Sequence, residues 1–166
     1  MSTIPDTIGD VTSPVRWLTA QEQNLWRGWL KLNTELASKL QRELQEDAGL
    51  STQDYEVLVH LTDNPEGRMR VTELAGLLQW ERSRVSHHIA RMEGRGLVER
   101  VQCTEDGRGA FVVITPQGRA AIEEAAPGHV MTVRRLIFDA LNEEEKAALA
   151  AVVDKLLAGL DDAPTK

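Results

Sequence analysis

The sequence predicts a mainly α-helical fold that carries one small β-hairpin, with long helices at both ends. Three observations predict it. Leu25, Trp29, Leu32, Leu36 and Leu40 recur at spacings of three and four, the period of one helix face. Two runs rich in β-branched residues, 97–102 and 110–114, flank a segment containing Asp106-Gly107, which is a strong hairpin signal. Near the C-terminus Leu149, Val152, Val153, Leu156, Leu157 and Leu160 restore the helical period.

The elements follow in order. Residues 1–17 hold Pro5, Gly9 and Pro14 among Ser and Thr, so a flexible leader is expected. A long amphipathic helix spans 18–48, widened by Trp26, and Gly49 ends it. Ser51 with Asp54 three residues on reads as a helix start, and Tyr55, Val57, Leu58 and Leu61 form its apolar side. Asn64-Pro65-Glu66-Gly67 is a turn. Thr72 is expected to cap a short helix bearing Leu74, Ala75, Leu77 and Leu78. A break at 79–81 precedes a helix from Arg82 to about Gly94, whose Val85, Ile89 and Met92 define one buried stripe. After the hairpin, Thr115-Pro116 supplies a cap and a first-turn proline. The helix it starts is expected to reach about Ala140 with a kink at Pro127-Gly128. Asn142 and Glu145 form a capping-box start for the last helix.

The whole chain bounds the function. At 166 residues and 18.5 kDa it fits one compact domain. No apolar run approaches the roughly 20 residues a membrane-spanning helix needs, and no signal peptide opens the chain, so a cytoplasmic protein without a membrane partner is expected. The single Cys103 cannot form an intrachain disulfide. The formal charge is −7, yet residues 82–108 hold six arginines against four acidic residues and are net +2. A basic insert in an acidic body fits a nucleic-acid reader better than the total suggests.

Two features carry function. The first is the helix pair 72–78 and 82–94, joined by a tight turn, which has the form of a helix-turn-helix. Opposite the buried stripe, Arg82, Ser83, Arg84, Ser86, His87 and Arg91 lie on the exposed side or its edges. The serines keep that face slim enough for a major groove, and arginine pairs with guanine or grips phosphate. The second is the hairpin directly after it, which makes the unit a winged helix-turn-helix. Arg108 between Gly107 and Gly109 at the tip suits a narrow, electronegative minor groove. Taken singly, each feature also fits an ordinary surface helix or an exposed turn.

The chain resembles the MarR family of bacterial transcriptional regulators. The resemblance is carried by Val71-Thr72-Glu73-Leu74-Ala75, Arg82-Ser83-Arg84-Val85-Ser86, Arg91-Met92-Glu93 and Gly96-Leu97-Val98. Asp106-Gly107-Arg108 and Ile114-Thr115-Pro116-Gln117-Gly118 complete it, and it covers roughly residues 18–160. It implies major-groove contact through Ser83, Arg84, Ser86 and His87, and phosphate contact through Arg82 and Arg91. It further implies minor-groove contact through Arg108, with Asp106 orienting that arginine or bridging to the helix. His88 stands where the family usually has an aliphatic residue, and Trp80 and Glu81 fill a turn that is often smaller. The operator sequence therefore does not carry over.

The resemblance also implies a homodimer, with helices 18–48 and 116–162 as its interface and 50–115 as the DNA-binding region. The expected partner is double-stranded DNA with an inverted-repeat operator, and the expected role is a repressor relieved by a small aromatic effector. Trp26, Trp29, Tyr55, His60 and His129 are candidates to line the effector pocket. No metal-ligand spacing, nucleophile–base pair or phosphate loop is evident, so neither an enzyme nor a cofactor is expected. Two alternatives stay open: a winged-helix module for protein contact, and a redox-responsive regulator using Cys103.

Overall fold

The computed structural model describes residues 15–102 and 109–161. The chain divides into two compact units, residues 1–35 and 36–166, taken here in turn.

The first unit holds the start of helix α1 (Ala20–Ala48). Thr19 N–H donates to the Glu22 carboxylate at 2.7 Å, and Glu22 N–H donates to the Thr19 hydroxyl at 3.2 Å. That reciprocal pair satisfies two orphan donors and sets where the helix begins. Leu25, Trp26, Trp29, Leu30 and Leu32 are all exposed, Leu25 at 73%. In this unit Leu25, Trp29 and Leu32 of the stripe read from the sequence are therefore left uncovered among the described residues.

The second unit contains the rest of α1 and every later element. Gly49 adopts φ +63, which turns the chain so that Leu50 N–H reaches back to the Leu44 carbonyl at 3.1 Å. Helix α2 (Thr52–Asp63) starts on a full capping box between Ser51 and Asp54. The 64–67 turn closes through Gly67 N–H on the Asn64 carbonyl at 2.9 Å. It leads into strand β1 (Arg68–Arg70), then α3 (Val71–Leu78), α4 (Arg82–Gly94), β2 (Val98–Gln102) and β3 (Ala110–Ile114). Helix α5 (Pro116–Leu136), a 3-10 turn at Phe138–Ala140 and α6 (Glu143–Asp161) complete the order. The capping box expected at Asn142 and Glu145 is present, with both bonds at 2.9 Å.

The strands form one antiparallel sheet in the order β1-β3-β2. Met69 pairs with Val112 on one side, and Arg100 pairs with Val112 on the other. Leu50, Val57, Leu58, Leu61, Leu74, Val85, Ile89, Met92, Val98 and Val112 are fully buried and form the core beneath that sheet. Thr115 caps α5 by accepting from Gly118 N–H at 3.0 Å, while its hydroxyl donates to the Gly96 carbonyl at 2.6 Å.

The structure differs from the sequence reading in three places. The hairpin is part of a three-stranded sheet, because β1 adds to its edge. Helix α3 begins at Val71 with Arg70 as its cap residue, so Thr72 lies inside the first turn. Strand β1 runs straight into that helix and leaves no loop residue for a side-chain cap. Helix α5 continues unbroken through Pro127 and ends at Leu136, short of Ala140. A proline there removes one backbone donor, and Ile122, Ala125 and Thr132 on both sides of it are buried.

On α6, Val152, Leu156, Leu157 and Leu160 are exposed, Leu160 at 71%. Among the described residues no helix is long and apolar enough to cross a membrane.

Candidate nucleic-acid interface

The turn between α3 and α4 is tight. Gln79 takes the left-handed conformation at φ 54, and Trp80 N–H returns to the Ala75 carbonyl at 3.0 Å. Helix α4 is anchored by Val85, Ile89 and Met92, all at 0% exposure, as the stripe in the sequence predicts. Arg82, Ser83, Arg84, His87 and Arg91 are exposed, and Ser86 is half-buried. The Ser86 carbonyl accepts a hydrogen bond from the Arg100 guanidinium, and Arg100 N–H donates to the Glu93 carboxylate at 3.1 Å. Arg100 thereby ties strand β2 to α4 at two positions, Ser86 and Glu93.

A polar network that the sequence reading did not assemble lies under α4. Asp54 is 4% exposed and His88 is 5% exposed. Asp54 Oδ2 accepts from Arg95 Nη1 at 2.7 Å and from Ser51 N–H at 2.9 Å. Asp54 Oδ1 lies 3.1 Å from His88 Nε2, a close contact whose N–H is not aligned as a hydrogen bond. Burial pushes the Asp54 carboxyl up, but the close His88 ring and hydrogen bonds from Ser51 and Arg95 outweigh it and hold the group well below the usual carboxylate range. Arg95 Nη2 also donates to the Gly49 carbonyl at 2.7 Å. On the other side of the imidazole, Arg91 Nη2 lies 2.8 Å from His88 Nδ1. Trp80 meets the same ring edge-on at 5.3 Å and carries the Arg84 guanidinium at 4.2 Å from its own ring centroid.

Beside the hairpin, Arg68 and Arg70 lie over the Phe111 ring at 4.8 and 5.2 Å, adding basic residues that the sequence analysis does not assign. The wing tip residues Asp106 and Arg108, and Cys103 with them, lie outside the described residues.

The candidate pocket residues divide. Tyr55 and His129 come together with ring centroids 4.5 Å apart, and burial pushes the Tyr55 phenol up. The His129 Nδ1 atom is buried without a hydrogen-bond partner among the described residues. His60 is half-buried on α2, while Trp26 and Trp29 are exposed on α1 in the first unit. A separate cleft of about 450 Å³ is lined by Lys39, Arg42, Glu43, Glu46, Thr132 and Arg135, none of which the sequence reading proposed for a ligand. There the Thr132 hydroxyl donates to the Glu43 carboxylate. Among the described residues no cluster of three or more His, Cys, Asp or Glu could hold a metal ion.

Residues 48–109 match the profile of the MarR family. A MarR family transcriptional regulator from Streptomyces coelicolor, solved in complex with DNA, is 41% identical to this chain. Its TM-score is 0.85, over 90% of this chain and 93% of that one. This chain belongs to the MarR family. An uncharacterized HTH-type transcriptional regulator of Bacillus cereus is 30% identical over 131 residues, 77% of the MarR-family chain and 85% of the relative. The HTH-type transcriptional repressor YetL of Bacillus subtilis is 29% identical over 98 residues, covering 59% of this chain and 58% of the repressor. The MarR-family chain is thus a DNA-binding helix-turn-helix transcriptional regulator, and its family and relatives are regulators rather than enzymes.

Proposed function

We propose that this MarR-family regulator is a cytoplasmic homodimeric repressor that reads an inverted-repeat duplex and is released by a small aromatic effector. One observation carries the reading: α4 buries Val85, Ile89 and Met92 and exposes Arg82, Ser83, Arg84, His87 and Arg91 opposite them. In this reading Ser83, Arg84, Ser86 and His87 meet base edges, Arg82 and Arg91 hold phosphates, and Arg108, steered by Asp106, enters the minor groove. Residues 50–115 are the reading region. The exposed apolar residues of α1 and α6 support residues 18–48 and 116–162 as the dimer interface, since a two-fold partner would cover them. The repressor role follows the similarity to YetL. The Tyr55–His129 pair with its unpartnered ring nitrogen supports an effector site, to which Trp26, Trp29 and His60 are further candidates.

The test is a duplex recovered by selection from a random-sequence library with the full chain. Its half-sites are expected about one helical turn (~10 bp) apart, and its affinity to fall steeply with salt. Arg91→Ala is expected to weaken selected and random duplexes alike and to flatten the salt slope by about one, and Arg108→Ala to weaken the selected duplex without unfolding the chain. Arg84→Ala is expected to relax base preference at one position, read by repeating the selection. A steep sequence preference retained in Arg84→Ala would remove Arg84 from the reading face. Sedimentation should give a dimer at micromolar protomer; a monomer there would contradict the interface.

A further inference from the structure

The buried imidazole of α4 contacts two residues of the reading region, Arg91 on the same helix and Trp80 in the turn before it. Arg84, His88 and Arg91 stand at i, i+4 and i+7, so they share one stripe of the helix. His88 Nδ1 accepts from Arg91 Nη2 at 2.8 Å, and the ring edge supports Trp80, on which the Arg84 guanidinium stacks at 4.2 Å. The ring cannot swing out, because it is 5% exposed and held on its far side by Asp54, itself gripped by Arg95 and Ser51.

We infer that His88 is a positioning residue for DNA recognition: through Nδ1 it sets Arg91, and through Trp80 it sets Arg84, so both arginines meet DNA already ordered. This rests on the reading of α4 given above. The chemistry fits the task. Nδ1 can accept only while it is unprotonated, and the nearby Asp54 carboxylate favours the proton on Nε2. Arg91 uses one of its five N–H donors on the ring and keeps four for a phosphate. Arg84 packs its flat face on the indole and leaves the guanidinium edge free for a base. An arginine held in its bound rotamer loses less freedom on binding, which is worth about three- to tenfold in affinity for each side chain.

The experiment measures affinity for the selected duplex and for a random duplex by fluorescence anisotropy, in the full chain and three variants. His88→Leu keeps the buried volume apolar, and Trp80→Leu removes only the indole platform. His88→Leu is expected to weaken both duplexes about three- to tenfold through Arg91. Trp80→Leu is expected to lower mainly the ratio of selected to random binding, through Arg84. His88→Gln, whose amide offers an acceptor and a donor, is expected to restore most of the Arg91 effect, a rescue that a purely space-filling role would not give. A double-mutant cycle completes it: in the Arg91→Ala background, His88→Leu should cost random-duplex binding nothing further. Equal loss in both backgrounds, or unchanged affinity in His88→Leu, overturns the inference while the reading of α4 stands. If Arg84→Ala and Arg91→Ala themselves leave both affinities unchanged, the reading of α4 fails and takes the inference with it. Should His88→Leu not fold, His88→Gln and Trp80→Leu carry the comparison: the inference is overturned if Trp80→Leu leaves the ratio of selected to random binding unchanged, or if His88→Gln weakens both duplexes as much as Arg91→Ala does.

Discussion

Replacing Asp54 by alanine is expected to lower the unfolding free energy by about 3 kcal/mol, measured by urea denaturation at fixed protomer concentration. Asp54 has three structural roles at once. It completes the α2 capping box with Ser51, and such a cap is worth about 1 kcal/mol. It is the buried counter-group to His88, with Oδ1 3.1 Å from Nε2, and its removal would leave that ring nitrogen without any polar neighbour on this side. It also binds Arg95, but that side chain is 46% exposed, so solvent screens the pair and its share is small. The sign of the pH effect follows from the lowered carboxyl. A group held below its unfolded value stabilises the fold fully above the ordinary carboxylate range, near pH 4, and the contribution is lost as pH falls further. The wild-type chain should therefore lose stability steeply below about pH 4, and Asp54→Asn should show a shallower acid limb. Parallel acid limbs would remove Asp54 as the group responsible.

Gly118→Ala is expected to cost about 3 kcal/mol, for a different reason. A Cβ built on Gly118 would stand 2.0 Å from the Leu97 carbonyl oxygen and 3.1 Å from the Ile114 side chain. The clash is with backbone, so no side-chain rotation relieves it. Relief requires the first turn of α5 to lift away from Leu97, which breaks the Thr115 bonds to Gly96 and Leu97. Gly76→Ala provides the control, since a Cβ there meets nothing within 4 Å. In a helix interior that change should be neutral or stabilise by about 0.5–1 kcal/mol. Denaturation midpoints of the two variants shifting equally would contradict the close-approach argument.

How much of this was legible in the sequence depends on distance along the chain. The stripe Val85, Ile89, Met92 and the Ser51/Asp54, Asn142/Glu145 and Thr115-Pro116 starts were readable, because each is a local pattern within a helical turn or two. The arginine-bearing face of α4 was readable for the same reason. Strand β1 was not: three residues, Arg68-Met69-Arg70, are too few to show a period, and their partners lie on β3. Nor was the buried network. Asp54 and Arg95 stand 41 positions apart, and nothing in either neighbourhood announces the other. His88 was noticed only as a polar residue on a side expected to be aliphatic, and Trp80 only as a bulky turn residue. In the structure each explains the other, since the indole edge fills the space beside the imidazole. At Pro127 the sequence marks a helix breaker, and the helix nevertheless runs on to Leu136, with Ile122, Ala125 and Thr132 buried around the proline.

The strand order has a consequence for the route by which the protein folds. The outer strands β1 and β2 both pair with β3, which is made last of the three along the chain. The hairpin partners of β3 are close in sequence, but pairing Met69 with Val112 closes a loop of about 40 residues that contains all of α3 and α4. Long closures come late because their entropy must be met before contacts reward it. The helices and the hairpin are therefore expected to assemble first as local units, with β1 docking afterwards as a clasp across them. A ribosome-bound chain that has not yet released residues 110–114 has no clasp, and so no completed DNA-binding surface.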